Sequence, residues 1–246
     1  MKLSALSARA PKKLDKEHTK TETAMLIARI AELQKVLYAQ RHYSLLVILQ
    51  GLDASGKDGL ISKVFQGVNP LGCDVKAFKA PTEEELEHDF LWRIHRHTPA
   101  RGMIQIFNRS HYEDVLVPRV QKHIDAKELK KRFDHINAFE RLLEDNNTVV
   151  LKFYLHISRE EQHERLLERK NNPKKFWKHS DGDWETRKKW SGYMKAYEDV
   201  FTHCNNPEWK IIPADQNWYK EYLAAMHIVS ALEKLKLEYP KAAKPR

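Results

Sequence analysis

Val47-Ile48-Leu49-Gln50-Gly51-Leu52-Asp53-Ala54-Ser55-Gly56-Lys57-Asp58-Gly59 is the stretch on which the fold turns. An apolar run with the length of a buried strand ends at Gly51, Gly56-Lys57 follow after four residues, and an amphipathic segment comes next. Strand, glycine loop and helix in this order make a phosphate-binding loop. Backbone N–H groups point inward, the helix N-terminus adds partial positive charge, and the lysine reaches the phosphates. Gly51, Ala54, Ser55, Gly56, Asp58 and Gly59 are thus candidates to cradle phosphate, with Lys57 as the gripping cation. After the lysine, where Ser or Thr commonly binds Mg²⁺, stands Asp58. Asp53, inside the loop, offers a carboxylate to the metal instead. The competing reading is a glycine turn with Lys57 in solvent.

Outward from the loop, apolar periodicity predicts alternating helices and strands. Residues 1 to about 20 read as a basic, polar tail that is mobile or draped on the surface, and residues 21–38 as an amphipathic helix packed on the core or on a partner subunit. Strands are expected at 45–50, 75–78, 103–107, 148–156 and 209–213, and helices at 60–68, 82–95, 127–144, from 158, 184–201 and 218–238. Thr82 and Ser158 stand as N-caps, each with Glu three residues on. Alternation of this kind implies an α/β fold: a central parallel sheet between two helical layers, the α/β/α arrangement of P-loop kinases, with ligands beyond the carboxyl ends of the strands. We divide the chain into 1–44, basic tail and helix, and 45–246, a P-loop kinase domain with a helical lid at about 165–190.

The residues after each strand carry the chemistry. The third strand runs into Phe107-Asn108-Arg109-Ser110-His111-Tyr112-Glu113-Asp114. An acidic metal ligand often closes this strand in P-loop enzymes; here Asn108 comes first and the carboxylates are displaced to Glu113 and Asp114. Arg109 is placed to grip a phosphate bidentately. After the fourth strand, residues 160–178 are densely basic, with Arg165 and Arg169 on one helix face and Lys170, Lys174, Lys175 and Lys178 beyond, and Arg187, Lys188 and Lys189 follow. Such cations suit a lid that closes over a transferring phosphoryl group and excludes water; the competing reading is a solvated pair of helices. His88, His95 and His97 lie close together, but without HExxH or a cysteine set they do not make a transition-metal site.

Composition narrows the partners. The 246 residues include 43 Lys+Arg against 34 Asp+Glu, a formal charge of +9, which favours polyanions. Cys73 and Cys204 form no framework and read as reduced thiols of a cytoplasmic protein. No apolar run approaches the roughly 18 residues of a membrane span, Met1 to Lys20 has no signal-peptide core, and no internal repeat or RNA-binding signature is seen.

Taken together, the stretches 49–59, Val68-Asn69-Pro70-Leu71-Gly72-Cys73, Phe78-Lys79-Ala80-Pro81-Thr82, His88-Asp89-Phe90-Leu91-Trp92-Arg93, 107–116 and Ile212-Pro213-Ala214-Asp215 with Trp218-Tyr219 resemble a family-2 polyphosphate kinase over nearly the whole chain. The resemblance implies Mg²⁺-dependent phosphoryl transfer (Mn²⁺ in its place) between inorganic polyphosphate and AMP, ADP and ATP, with guanine nucleotides as further substrates and a dimer or tetramer as the assembly. Carried over, Lys57 holds phosphates, Asp53 binds the metal and orients or deprotonates the accepting phosphate, and Arg109 clamps the transferring group. Asn108, Tyr112 and Glu113 contact phosphate or nucleotide, and Arg165, Arg169, Lys170 and Arg187 are lid cations. Glu113 resembles the subgroup accepting both AMP and ADP. Pro118 stands where the family more often has Val. An ATP-dependent nucleoside or nucleotide kinase and a non-catalytic binder of polyphosphate or nucleic acid are the alternatives.

Overall fold

Five parallel strands form one sheet in the order β2-β3-β1-β4-β5: β1 Ser44–Gln50, β2 Cys73–Ala77, β3 Ile104–Asn108, β4 Thr148–His156 and β5 Trp209–Pro213. The computed structural model describes residues 2–241; Met1 and residues 242–246, the outer ends of the two expected divisions, lie outside the described residues. Every residue of β1 is buried, as a central parallel strand covered on both faces must be. Leu46 and Ile48 face one core and Leu45, Val47 and Leu49 the other, the two-residue alternation of a strand.

The helices are α1 Lys16–Gln40, α2 Lys57–Val64, α3 Glu83–Glu87, α4 Trp92–His95, α5 Glu113–Val120, α6 Ala126–Asp145, α7 Arg159–Asn171, α8 Asp181–Lys188, α9 Trp190–His203 and α10 Asn217–Glu233. On one face α1, α2 and α10 bury Ile30, Leu37, Leu60, Val64, Ile228 and Leu232. On the other, α5, α6 and α9 bury Leu116, Phe133, Ile136, Tyr197, Val200 and Phe201. The chain therefore leaves β1 toward one face and β3 toward the other. The loops after these neighbouring strands part, and a crevice opens between them. Among the described residues no helix is long and apolar enough to cross a membrane.

Four expectations about the elements change. The N-terminal segment is docked, not draped: Leu3 is fully buried and its N–H donates to Glu198 Oε1 at 2.7 Å. His156 bonds Leu6 O at 3.2 Å, and Asp215 N donates to Ala8 O at 3.0 Å. The single helix expected over 82–95 is two short ones. Thr82 does form its capping box with Glu85, but His88 is extended and Asp89 Oδ1 accepts from Leu91 N, a side-chain bond that replaces a helical turn. Likewise 184–201 is interrupted at Lys189, and the last helix stops at Glu233, before Lys236 in a left-handed conformation. The first helix packs on the core, against α10.

Tyr112 also departs from its expected place. It is wholly buried, where its hydroxyl donates to Glu140 Oε1 at 2.8 Å and accepts from Lys152 Nζ at 3.0 Å. Lys152 and Glu140 form an ion pair at 2.6 Å with both side chains fully buried, and Lys152 also donates to Cys204 O at 3.0 Å. The cluster ties α6, β4 and the start of α5 together. Lys152→Met leaves Glu140 buried without its lysine and is expected to cost about 3–5 kcal/mol in equilibrium urea unfolding. Adding Glu140→Leu should recover most of that, and a double variant no more stable than the single would refute the charge argument.

Candidate active site

The loop after β1 is built on backbone that few residues adopt. Gly51 has φ +150° and Gly56 φ +91°, and a Cβ on Gly51 would lie 2.9 Å from Leu155 O. Ala54 is left-handed at φ 64°, a strained choice for a residue with a side chain. Lys57, first residue of α2 and only 8% exposed, donates to Gly51 O at 2.8 Å and Leu52 O at 3.3 Å. Burial, with Arg109 nearby, pushes its ammonium down to about 8.

Arg109, on the loop after β3, is also left-handed, φ 63°. Its guanidinium bridges two carboxylates, with Nη2 on Asp53 Oδ1 and Nη1 on Glu113 Oε2, the latter at 3.2 Å. Glu113 and Asp53 hold it charged, against the opposing effect of burial. Asn108 Nδ2 donates to Asp58 Oδ1 at 2.8 Å, and Lys178 Nζ reaches Asp58 Oδ2 at 3.4 Å. Burial raises the Asp58 carboxyl, but these two partners outweigh it and leave it below its usual value.

Two cavities meet here. The smaller, about 250 Å³, lies over the loop; Lys57, Lys79, Arg109, Arg169 and Lys178 face it against Asp53 and Asp58. Its excess of positive charge suits a phosphate chain. The larger, about 1280 Å³, has apolar walls from Phe78, Phe90, Leu91 and Phe139 with Arg93, Arg132, Glu113 and Asp114 among them. Apolar walls with few placed polar groups are what a nucleoside-sized ligand needs. Arg109, Phe78 and Lys79 line both.

The family model for polyphosphate kinase 2 matches residues 13–240. The chain belongs to the polyphosphate kinase 2 family. An AMP/ADP-polyphosphate phosphotransferase of Meiothermus ruber is 48% identical over 219 residues, covering 88% of this chain and 82% of that protein. An ADP-polyphosphate phosphotransferase of Rhodopseudomonas palustris is 39% identical over 245 residues, 94% of this chain and 85% of the relative. The crystal structure of polyphosphate kinase 2 from Arthrobacter aurescens superposes with a TM-score of 0.96 at 39% identity, covering all of this chain and 90% of the other.

For this polyphosphate kinase 2 chain, the structure gathers most of the candidates. Asp53, Ala54, Gly56, Lys57, Asp58, Gly59, Asn108, Arg109 and Arg169 face the small cavity, and Glu113 the large one. Gly51 and Ser55 frame the loop from within the core, both buried. Tyr112 is in the core instead. Three expected lid cations point elsewhere. Arg165 lies behind the loop, its Nη1 on Ala54 O at 3.1 Å and Nη2 on Ala214 O at 2.8 Å. Arg187 bonds Arg159 O and Gln162 Oε1. Lys170 is exposed and lines neither cavity. Arg169 does face the cavity, held by Asp183 Oδ2 at 2.8 Å. Sequence reasoning passed over Lys79, which follows β2 as Arg109 follows β3, and Lys220, which no local pattern marks.

For Mg²⁺, Asp53 and Asp58 supply hard oxygen ligands at the cavity. Among the described residues no group of three or more His, Cys, Asp or Glu is placed to hold a metal. Mg²⁺ needs none, since it keeps waters and takes one or two carboxylates plus substrate phosphates. The residues therefore fit it.

A bound polyanion favours the charged form of Lys57, drawing its pKa from about 8 back toward the usual 10.5. At pH 9 binding of tripolyphosphate should therefore take up protons, and affinity should fall as pH rises from 7 to 10. Calorimetry in two buffers of different ionisation enthalpy reads the uptake; identical heats would show that Lys57 does not titrate there.

Proposed function

We propose that this chain transfers the terminal phosphoryl group of inorganic polyphosphate to AMP and to ADP, reversibly and in line, with no phosphoenzyme. The observation that carries the reading is the meeting of a basic, phosphate-sized cavity and a roomy, partly apolar one at a single guanidinium, Arg109. The names of the Meiothermus and Rhodopseudomonas relatives support the substrates.

In this reading the nucleotide lies in the large cavity and the polyphosphate end over the loop. An oxygen of the nucleotide's terminal phosphate attacks the last phosphorus of the chain. The bond from that phosphorus to the bridging oxygen breaks, and the shortened chain leaves as an anion. Such transfers need positioning and charge stabilisation more than covalent help. Lys57 and the loop N–H groups hold the chain, Arg109 spans donor and acceptor oxygens, and Asp53 orients the accepting phosphate and takes its proton where it carries one. Mg²⁺, held by Asp53 and Asp58 with the phosphates, would neutralise oxygen charge. Arg169 and Lys178 are the lid cations. ATP is the product when ADP accepts. Guanine nucleotides as further substrates, Mn²⁺ in place of Mg²⁺, a homo-oligomeric assembly and a cytoplasmic location complete the reading.

The decisive assay incubates the protein with Mg²⁺, long-chain polyphosphate and either AMP or ADP, and resolves the nucleotides. ADP and ATP should both appear from AMP. Turnover only with ATP as donor would favour the ordinary kinase, and no turnover the binding module. Lys57→Ala and Arg109→Ala should each lower kcat by about 10²–10³, on the scale of one lost oxyanion donor; near-full turnover would remove the residue from the mechanism. Glu113→Asn, which takes a carboxylate away from Arg109, should lower kcat/KM for AMP relative to ADP. An unchanged ratio would separate Glu113 from acceptor choice.

A further inference from the structure

Lys220, on α10, is 1% exposed. Its Nζ donates to Gly56 O at 3.2 Å and to Asn217 Oδ1 at 2.9 Å. Gly56 is the left-handed turn of the phosphate loop, and a Cβ added there would lie 2.3 Å from that Nζ. Lys220 thus meets the loop at Gly56 and does not line the cavity. Its neighbours are the Arg165 guanidinium and Glu161 on α7, Lys57 on α2 and Glu221 on its own helix. Burying an ammonium among cations is costly, and burial followed by Arg165 pushes Lys220 down to about 8. A packing role alone would be served by a methionine.

The other loop carbonyls show the purpose. Gly51 O and Leu52 O accept from Lys57, Asp53 O from Gln162 Nε2 at 3.0 Å, and Ala54 O from Arg165 Nη1 at 3.1 Å. With Gly56 O on Lys220, the carbonyls of five loop residues accept from side chains, and Gly56 O also takes the first helical bond of α2 from Leu60 N–H at 3.1 Å. Among the described residues, the N–H groups of Asp53, Ala54 and Gly56 have no hydrogen-bond partner. A peptide's carbonyl shares its plane with the N–H of the next residue, so the bonds to Leu52 O, Asp53 O and Gly56 O set the N–H groups of Asp53, Ala54 and Lys57, the last also without a partner.

We propose that Lys220 is a positioning residue for the phosphate chain: together with the helical bond from Leu60 it holds Gly56 O, so that the Lys57 N–H of the same peptide faces the donor. It acts through the loop and also adds a fixed positive charge beneath it. The inference rests on the loop being the donor's phosphate site, as proposed above.

The test titrates wild type and Lys220→Met with inorganic tripolyphosphate and, separately, with AMP, by calorimetry at pH 7. Lys220→Met should bind tripolyphosphate about tenfold more weakly or worse, the scale of one hydrogen bond to a charged group, with AMP affinity within about twofold. Tripolyphosphate affinity within twofold of wild type, or equal weakening of both ligands, would overturn the proposal. Should Lys220→Met fail to fold, Lys220→Gln, which keeps an N–H for Gly56 O without the charge, is read by the same two titrations. Neither titration needs turnover, so a chain that bound tripolyphosphate yet used only ATP as donor would sink the functional reading and leave the Lys220 result standing. A wild type that bound no tripolyphosphate would overturn both.

Discussion

A loop that turns its N–H groups toward an anion must turn its carbonyls away from it, and here that means into the protein. A buried carbonyl without a donor costs about 1–3 kcal/mol. In this chain the donors come from three elements, Lys57 from α2, Gln162 and Arg165 from α7, and Lys220 from α10. Most of them are cations. The cations among them therefore raise the potential where the phosphates lie, Lys57 from the cavity wall and Arg165 and Lys220 without lining the cavity. Helices α2, α7 and α10 are bound to the loop's geometry by this arrangement, which brings α10, late in the chain, to the phosphate loop.

The opposite balance holds on the open side of the loop. There Arg109 rests between Asp53 and Glu113, Lys178 on Asp58 and Arg169 on Asp183. These three of the cations that face the cavity already have a carboxylate. A bare cluster of cations would repel itself, and paired cations keep their rotamers before the ligand arrives. Asp183 is raised by burial and by the nearby Asp53 charge, against the pull of Arg169. The pairing also couples the two cavities. Glu113 reaches Arg109 from the large cavity and Asp53 from the small one, so what sits in one alters the hold on the guanidinium in the other.

The positions of the strands along the chain, the phosphate loop and the cluster after β3 were legible because each is a local pattern: apolar alternation, a glycine spacing, polar residues where a strand ends. What was not legible is direction. Arg165 and Arg169 are four apart on α7, and sequence spacing places them on one face; yet Arg165 turns to Ala54 O and Ala214 O while Arg169 turns to the cavity. Tyr112 sits in the motif that carries Arg109 and Glu113 but at the first turn of α5 it points into the core, to Glu140 and Lys152. Leu3 lies in a basic tail with no apolar periodicity, and its partner Glu198 lies 195 residues away. Lys220 meets Gly56 across 164 residues. Contacts of that separation leave no mark in a window of neighbours.

The docked N-terminal segment then limits where substrates can be. Leu6 O binds His156 at the end of β4, and Ala8 O accepts from Asp215 just beyond β5. The carboxyl ends of β4 and β5, half of the face where an open α/β sheet receives ligands, are covered by the chain's own beginning. The carboxyl ends of β1, β3 and β2 remain, and the loop, the Asn108–Glu113 segment and Lys79 follow these strands in turn. Two ligands confined to one crevice, with a single guanidinium between them, approach end to end. The small cavity over the loop, about 250 Å³ and faced by five cations, suits a donor that is phosphate alone and has no base to place.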